Sequence, residues 1–148
     1  MARAPQHSLS DDSVTAVLLQ EGVLSREQGK TLFREKANVR RKIERDRAIR
    51  QSTEGTRNRI QNPTTIIDVI THLNMNRADD PSQPLDEETI YQILARAWDI
   101  PYKKIDPLEL DLNLVTRTIP HHFARHHLVL PVGMEDGCLL VATPNPFN

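Results

Sequence analysis

Apolar residues recur at helical spacing in several separate stretches, and polar punctuation divides them. Val14, Val17, Leu18 and Leu19 make the apolar side of a short first helix. Asp11, Asp12 and Ser13 offer caps at its start. Gly22 suits its end, because a helix commonly closes on a left-handed residue and glycine adopts that conformation at low cost. Ser25 and Gln28 have the S-x-x-Q spacing of a capping box, so a second helix is expected to begin there, anchored by Leu32 and Phe33. Residues 34–59 then carry only Ala37, Val39, Ile43, Ala48 and Ile49 as apolar positions. With no broad apolar stripe to bury, this stretch predicts an exposed helix fraying near Ser52 to Gly55.

Asn62-Pro63 marks a stop and a restart, and Ile66, Ile67, Val69, Ile70 and Leu73 follow as a compact apolar helix. Residues 74–84 (NMNRADDPSQP) are polar throughout and predict a linker. Asp86, Glu87 and Glu88 place acids where a helix dipole favours them, ahead of Ile90, Ile93, Leu94, Ala97 and Trp98. Pro101 forbids continuation, Tyr102 to Ile105 reads as a short strand, and Leu108 to Leu114 as a loop or short turn. Pro120 opens another helix carrying Phe123 and Ala124. Leu128 to Val132 and Cys138 to Thr143 are two strands, joined through an Asp-Gly pair of the kind that forms tight hairpins.

The expected fold class is α+β. A tail at 1–9 and a helical region at 10–73 precede the linker at 74–84, and an incomplete α+β unit occupies 85–148. A hairpin alone is barely stable, so its apolar side must be covered. The helices bearing Trp98 and Phe123 are the candidates, with Phe123 buried against the strands. Arg125 and one of His126 and His127 are then left accessible to a partner.

Charge and composition sharpen this picture. Among 148 residues, 38% are hydrophobic and 4% aromatic, which implies a modest aliphatic core. Net charge is −1, yet residues 34–59 hold ten Arg and Lys against four Asp and Glu, so the rest of the chain is acidic. This basic segment, with Arg40, Arg41 and Arg45 at its centre, fits a protein partner or anionic lipid headgroups. Nucleic acid fits poorly: no aromatic residue lies between Phe33 and Tyr91 to stack on bases. The single cysteine, Cys138, excludes a disulfide framework and reads as a small buried hydrophobe. No apolar run approaches the ~20 residues that span a bilayer, so a soluble, cytoplasmic protein is expected.

Two motifs suggest chemistry. Gly29-Lys30-Thr31 ends like a phosphate-binding loop, but the glycine required five positions earlier is Leu24, and the capping box places Gly29 inside a helix. His121, His122, His126 and His127 cluster on one helix, with His122 and His126 at i and i+4. No cysteine or acid at ligand spacing completes a metal site. No catalytic residues, metal ligands or cofactor are assigned.

Residues 88–148 resemble the N-terminal domain of the traffic ATPases that drive type II secretion and type IV pilus assembly. The resemblance rests on Leu114, Val115, Ile119, Pro120, Phe123, Ala124 and His126, then Leu130, Pro131, Gly137, Leu139, Val141, Ala142 and Pro146. The opening VLLQEGVLSREQ is similar to the helix-glycine-helix start of such domains. The resemblance implies a hexameric motor elsewhere in the protein, using ATP and Mg. This segment would be a docking arm on the cytoplasmic domain of an inner-membrane platform protein. Arg125, His126, His127, Arg40, Arg41 and Arg45 are the candidate partner-binding residues. Some domains of this family bind cyclic di-GMP through an arginine and a glycine; Ser13 and Thr15 stand at those positions here.

Overall fold

The computed structural model describes residues 8–54 and 63–147. Two compact units emerge, one running to Tyr102 and the other from Lys103 onward. The boundary expected at 74–84 is therefore displaced to Tyr102–Lys103.

In the first unit, α1 (Asp11–Gln20) is capped by Ser10, whose side chain accepts from the Ser13 N–H at 3.2 Å. The cap thus lies one residue before the expected acids. Val14 and Leu18 are fully buried on one side. Gly22 follows with φ +74, and the turn it makes returns Val23 and Leu24 into the core. Ser25 and Gln28 form both halves of the capping box, at 2.8 and 3.1 Å, and open α2 (Arg26–Glu54). Leu32 is buried, while Phe33 is 75% exposed, contrary to its expected role as an anchor. Adjacent helix positions point about 100° apart, so one side of α2 holds Leu32 inward and the next turns Phe33 out. Val39 and Ile43 pack against the core from its edge. Helix α2 continues to Glu54; Gly55, Arg57, Arg59 and Asn62 lie outside the described residues, as do residues 1–7 of the expected tail. Leu9, placed in that tail, packs against the core.

Thr65 and Asp68 make a second capping box for α3 (Ile66–His72), which buries Ile66, Ile67, Val69 and Ile70. Asp86 caps α4 (Glu87–Ala97), with Ile90, Ile93 and Leu94 buried and Trp98 half-buried. The segment between them is no linker. Leu85 N–H donates to Met75 O at 2.8 Å, Arg77 N–H to Gln83 O at 2.9 Å and Ala78 N–H to Val23 O at 2.9 Å. Gln28 Nε2 donates to Asn76 O at 2.7 Å, and Leu85 is buried. A polar composition hides this because the bonds are made by main chain, which composition does not report. Helix α1 packs on α2, α3 and α4, and α3 on α2 and α4, around thirteen buried hydrophobic residues.

The second unit starts with a short 3-10 turn (Pro107–Glu109) capped by Asp106, then α5 (Leu112–Thr118) capped by Asp111. Residues 102–105 form no strand, and Leu112 to Leu114, the end of the stretch expected as a loop or short turn, open helix α5 because Asp111 caps two N–H groups. Next come α6 (His121–His127), β1 (Leu130–Glu135) and β2 (Cys138–Ala142). The strands pair antiparallel, with an irregularity between Pro131 and Gly133 that leaves Val132 as the extra residue of a bulge. Asp136 and Gly137 turn the chain with φ +49 and +76, both in the left-handed region that a type I′ hairpin demands. Helix α5 packs on β1. Phe123 is 45% exposed and Cys138 is exposed, so neither is buried as expected. The cover over the hairpin comes from α5 with its half-buried Leu114 and Val115, which leaves the α6 ring outside.

Candidate docking surfaces

A groove of about 200 Å³ runs between α1 and α2 in the first unit. Asp12, Thr15 and Leu19 line it from α1, and Gly29, Phe33 and Lys36 from α2. Gly29 lacks a side chain where Leu19 lies beneath, so the floor stays open; a β-carbon there would meet Leu19 at 3.5 Å. Lys36 Nζ sits 5.2 Å from the Phe33 ring centre, a cation–π distance. The rim therefore offers one large aromatic ring, an aliphatic floor and both signs of charge. The apolarity of Phe33 alone predicts an inward ring; only the phase of α2 against its neighbours shows it outward.

The basic residues of α2 divide into bound and accessible groups. Arg40 donates to both oxygens of Asp11, at 2.9 and 3.2 Å, and Lys36 pairs with the same carboxylate at 3.4 Å. Arg47 donates to Thr64 and Asp68 at 3.1 and 3.0 Å. These contacts tie α2 to α1 and α3, and they occupy Arg40. Arg41 and Arg45 are exposed, with Lys42 between them in sequence, and Arg41 bonds only within its own helix at Asn38 and Ala37. Ile49, 60% exposed, stands one turn beyond Arg45.

In the second unit, α6 carries Phe123 and His127 with ring centres 4.3 Å apart, and His126 meets His127 edge-on at 4.8 Å. His126 and His127 are exposed and Arg125 is half-buried. The structure thus brings these three candidates together on one short helix, separately from Arg40, Arg41 and Arg45. Among the described residues, no three His, Cys, Asp or Glu side chains converge as metal ligands. Gly29 N–H donates to Ser25 O at 2.9 Å and Lys30 pairs with Glu27 at 3.0 Å, so Gly29-Lys30-Thr31 is one turn of α2 and forms no phosphate cradle. Among the described residues, no helix is long and apolar enough to cross a membrane.

Three groups of the first unit are shifted among the described residues. The hydrogen bond from Arg77 holds the Asp79 carboxyl below its usual range and raises the arginine in turn. Burial, reinforced by Glu87 and Asp68, pushes the Tyr91 phenol up to about 12.

Residues 98–148 match the MshEN domain. The chain is also 31% identical over 104 residues to the type IV pilus assembly ATPase TfpB of Acinetobacter baylyi. That match takes in 70% of this chain and 17% of the relative, so the chain spans a small part of that protein's length. No solved structure matches the chain. The resemblance read from the sequence is borne out: the last third of the chain matches the MshEN domain, and the two matches together support an N-terminal domain of the type IV pilus and type II secretion ATPase family.

Proposed function

We propose that this chain is a non-catalytic docking domain, which holds a pilus-assembly or secretion ATPase against the cytoplasmic domain of its inner-membrane platform protein. The observation that carries this reading is Phe33, a large ring 75% exposed at the rim of the α1–α2 groove. An exposed aromatic beside a pocket and ringed by charge is the composition of an interface anchor. ATP and Mg belong, in this reading, to a motor domain elsewhere in the protein. The domain works at the cytoplasmic face of the inner membrane, where the accessible Arg41 and Arg45 add attraction to anionic headgroups.

Titration of the chain with the platform's cytoplasmic domain tests the proposal. Phe33→Ala is expected to weaken binding at least ten-fold, about 1.4 kcal/mol, while unfolding stays within about 0.5 kcal/mol of wild type as for surface sites. Binding that survives Phe33→Ala unchanged removes the groove from the interface. Saturable binding of cyclic di-GMP by the chain would favour a messenger sensor instead.

A further inference from the structure

The groove between α1 and α2 is built from two matching stripes. Asp12, Ala16 and Leu19 line it from α1, and Gly29, Phe33 and Lys36 from α2. Both sets step by four and then by three residues, so each wall is one helix face about 10 Å long. The two helices run antiparallel there. Lys36 meets Asp11 at 3.4 Å at one end, and Leu19 lies against Gly29 at the other, 3.5 Å from where a β-carbon would stand. The groove therefore has a polarity along its length. It is charged at the Asp12–Lys36 end and apolar at the Leu19–Gly29 end, with the buried Leu32 and Ile66 in its floor.

Size and charge define what fits. The volume of about 200 Å³ falls below the ~300–1,000 Å³ of small-molecule sites, and suits a few side chains of a peptide. A helix has the length to use both ends, because seven of its residues also rise about 10 Å. The charged side chains of the lining are two acids and one base, Asp11, Asp12 and Lys36. Asp11 and Lys36 are engaged with each other, Asp11 also with Arg40, and Lys36 also with the Phe33 ring. Asp12 is exposed and, among the described residues, makes no hydrogen bond or ion pair. The charge left for a ligand to answer is thus a carboxylate, which attracts a cation and repels an anion.

We propose that this groove receives a cationic amphipathic helix from a protein partner. The helix seats an aliphatic side chain against Leu19 and Gly29, and sets an Arg or Lys seven residues away beside Asp12. Phe33, on the wall between the two ends, covers the apolar stem of that basic side chain. The inference rests on the docking reading above and adds the chemistry of the segment that docks.

Two alanine-rich peptides of about 20 residues, long enough to hold a helix in water, serve as probes of the whole chain. One carries a central Leu with Arg seven residues to either side, which fits either direction of the helix. The other has Glu in place of both Arg. The chain is expected to bind the arginine peptide about ten-fold more tightly, a preference that narrows as salt is raised. Asp12→Asn should shrink the preference and Asp12→Lys invert it, and a failure to fold produces no inversion. Gly29→Leu fills the groove from a helical position where leucine is the better helix former, so both peptides should lose binding while the fold remains. Equal affinity for the two peptides, binding of neither, a preference unmoved by Asp12→Lys, or binding that survives Gly29→Leu overturns the proposal. The platform's cytoplasmic domain is titrated in parallel. If its binding falls with Phe33→Ala but not with Asp12→Lys, the charge rule is overturned and the docking reading stands. If its binding ignores both substitutions, the docking reading goes, and an inverted peptide preference still supports the groove's ligand class.

Discussion

Asp11 does three things at once. It stands in the first turn of α1, where a negative charge interacts favourably with the helix dipole, and it pairs with Lys36 and Arg40 of α2. Its side chain and that of Arg40 are both about 30% exposed, so solvent screens the pair only in part. Asp11→Ala is expected to cost about 1–2 kcal/mol, the sum of dipole and ion-pair terms. Arg40→Ala should cost less, and the double variant less than the two together, as urea unfolding in a double-mutant cycle would reveal. Tyr91 supplies a pH signature. Its phenol ionises near 10 in the unfolded chain and near 12 in the folded one, so the native state holds the proton more tightly. That stability is fully present below pH 10 and is lost as pH rises through 12. Tyr91→Phe should flatten this alkaline decline in a stability-versus-pH series, and an unchanged slope would assign the decline to other groups. Asp79 has the opposite sign: its lowered carboxyl adds stability above the ordinary carboxylate range, which disappears as pH falls through its folded value.

At the scale of elements, end signals are local and decide where the chain turns. Ser25 with Gln28, Thr65 with Asp68, and Asp86 with Thr89 each act across three residues. The hairpin is similarly local. Gly137 has φ +76, where a side chain meets no steric neighbour but the backbone itself resists. Gly137→Val is expected to destabilise the second unit by about 1–2 kcal/mol, the cost of a left-handed non-glycine residue, and the loss should appear in hydrogen exchange of β1 and β2 before any in α1–α4. Leu108 to Leu114 marks the opposite case. Its alternating leucines carry no helical period, yet Asp106 and Asp111 convert the stretch into a turn and a helix. Their capping oxygens were the legible signal, and the leucine pattern obscured it.

At the scale of the molecule, the thirteen buried hydrophobic residues among those described all lie between Val14 and Leu94, which concentrates cohesion in the first unit. Residues 101–104 are exposed and irregular, at the division between the units. Trypsin is therefore expected to cut at Lys103 and Lys104 well before Arg77, which is half-buried and bonded to Asp79 at 2.9 and 2.6 Å. Early cleavage at Arg77 would restore 74–84 as the linker. The sequence by itself determined the α+β class, five of the six helices among the described residues and the hairpin, because caps, turn residues and apolar periodicity act over a few neighbours. It also carried the family resemblance, through residues spread over the last sixty positions. Tertiary structure alone decided that Phe33 and Phe123 face outward, that α5 covers β1, that Arg40 is held by Asp11, and that 74–84 is bonded into the core. Each of those outcomes depends on atoms from distant parts of the chain competing for the same space, and no local pattern of side chains records which of them wins.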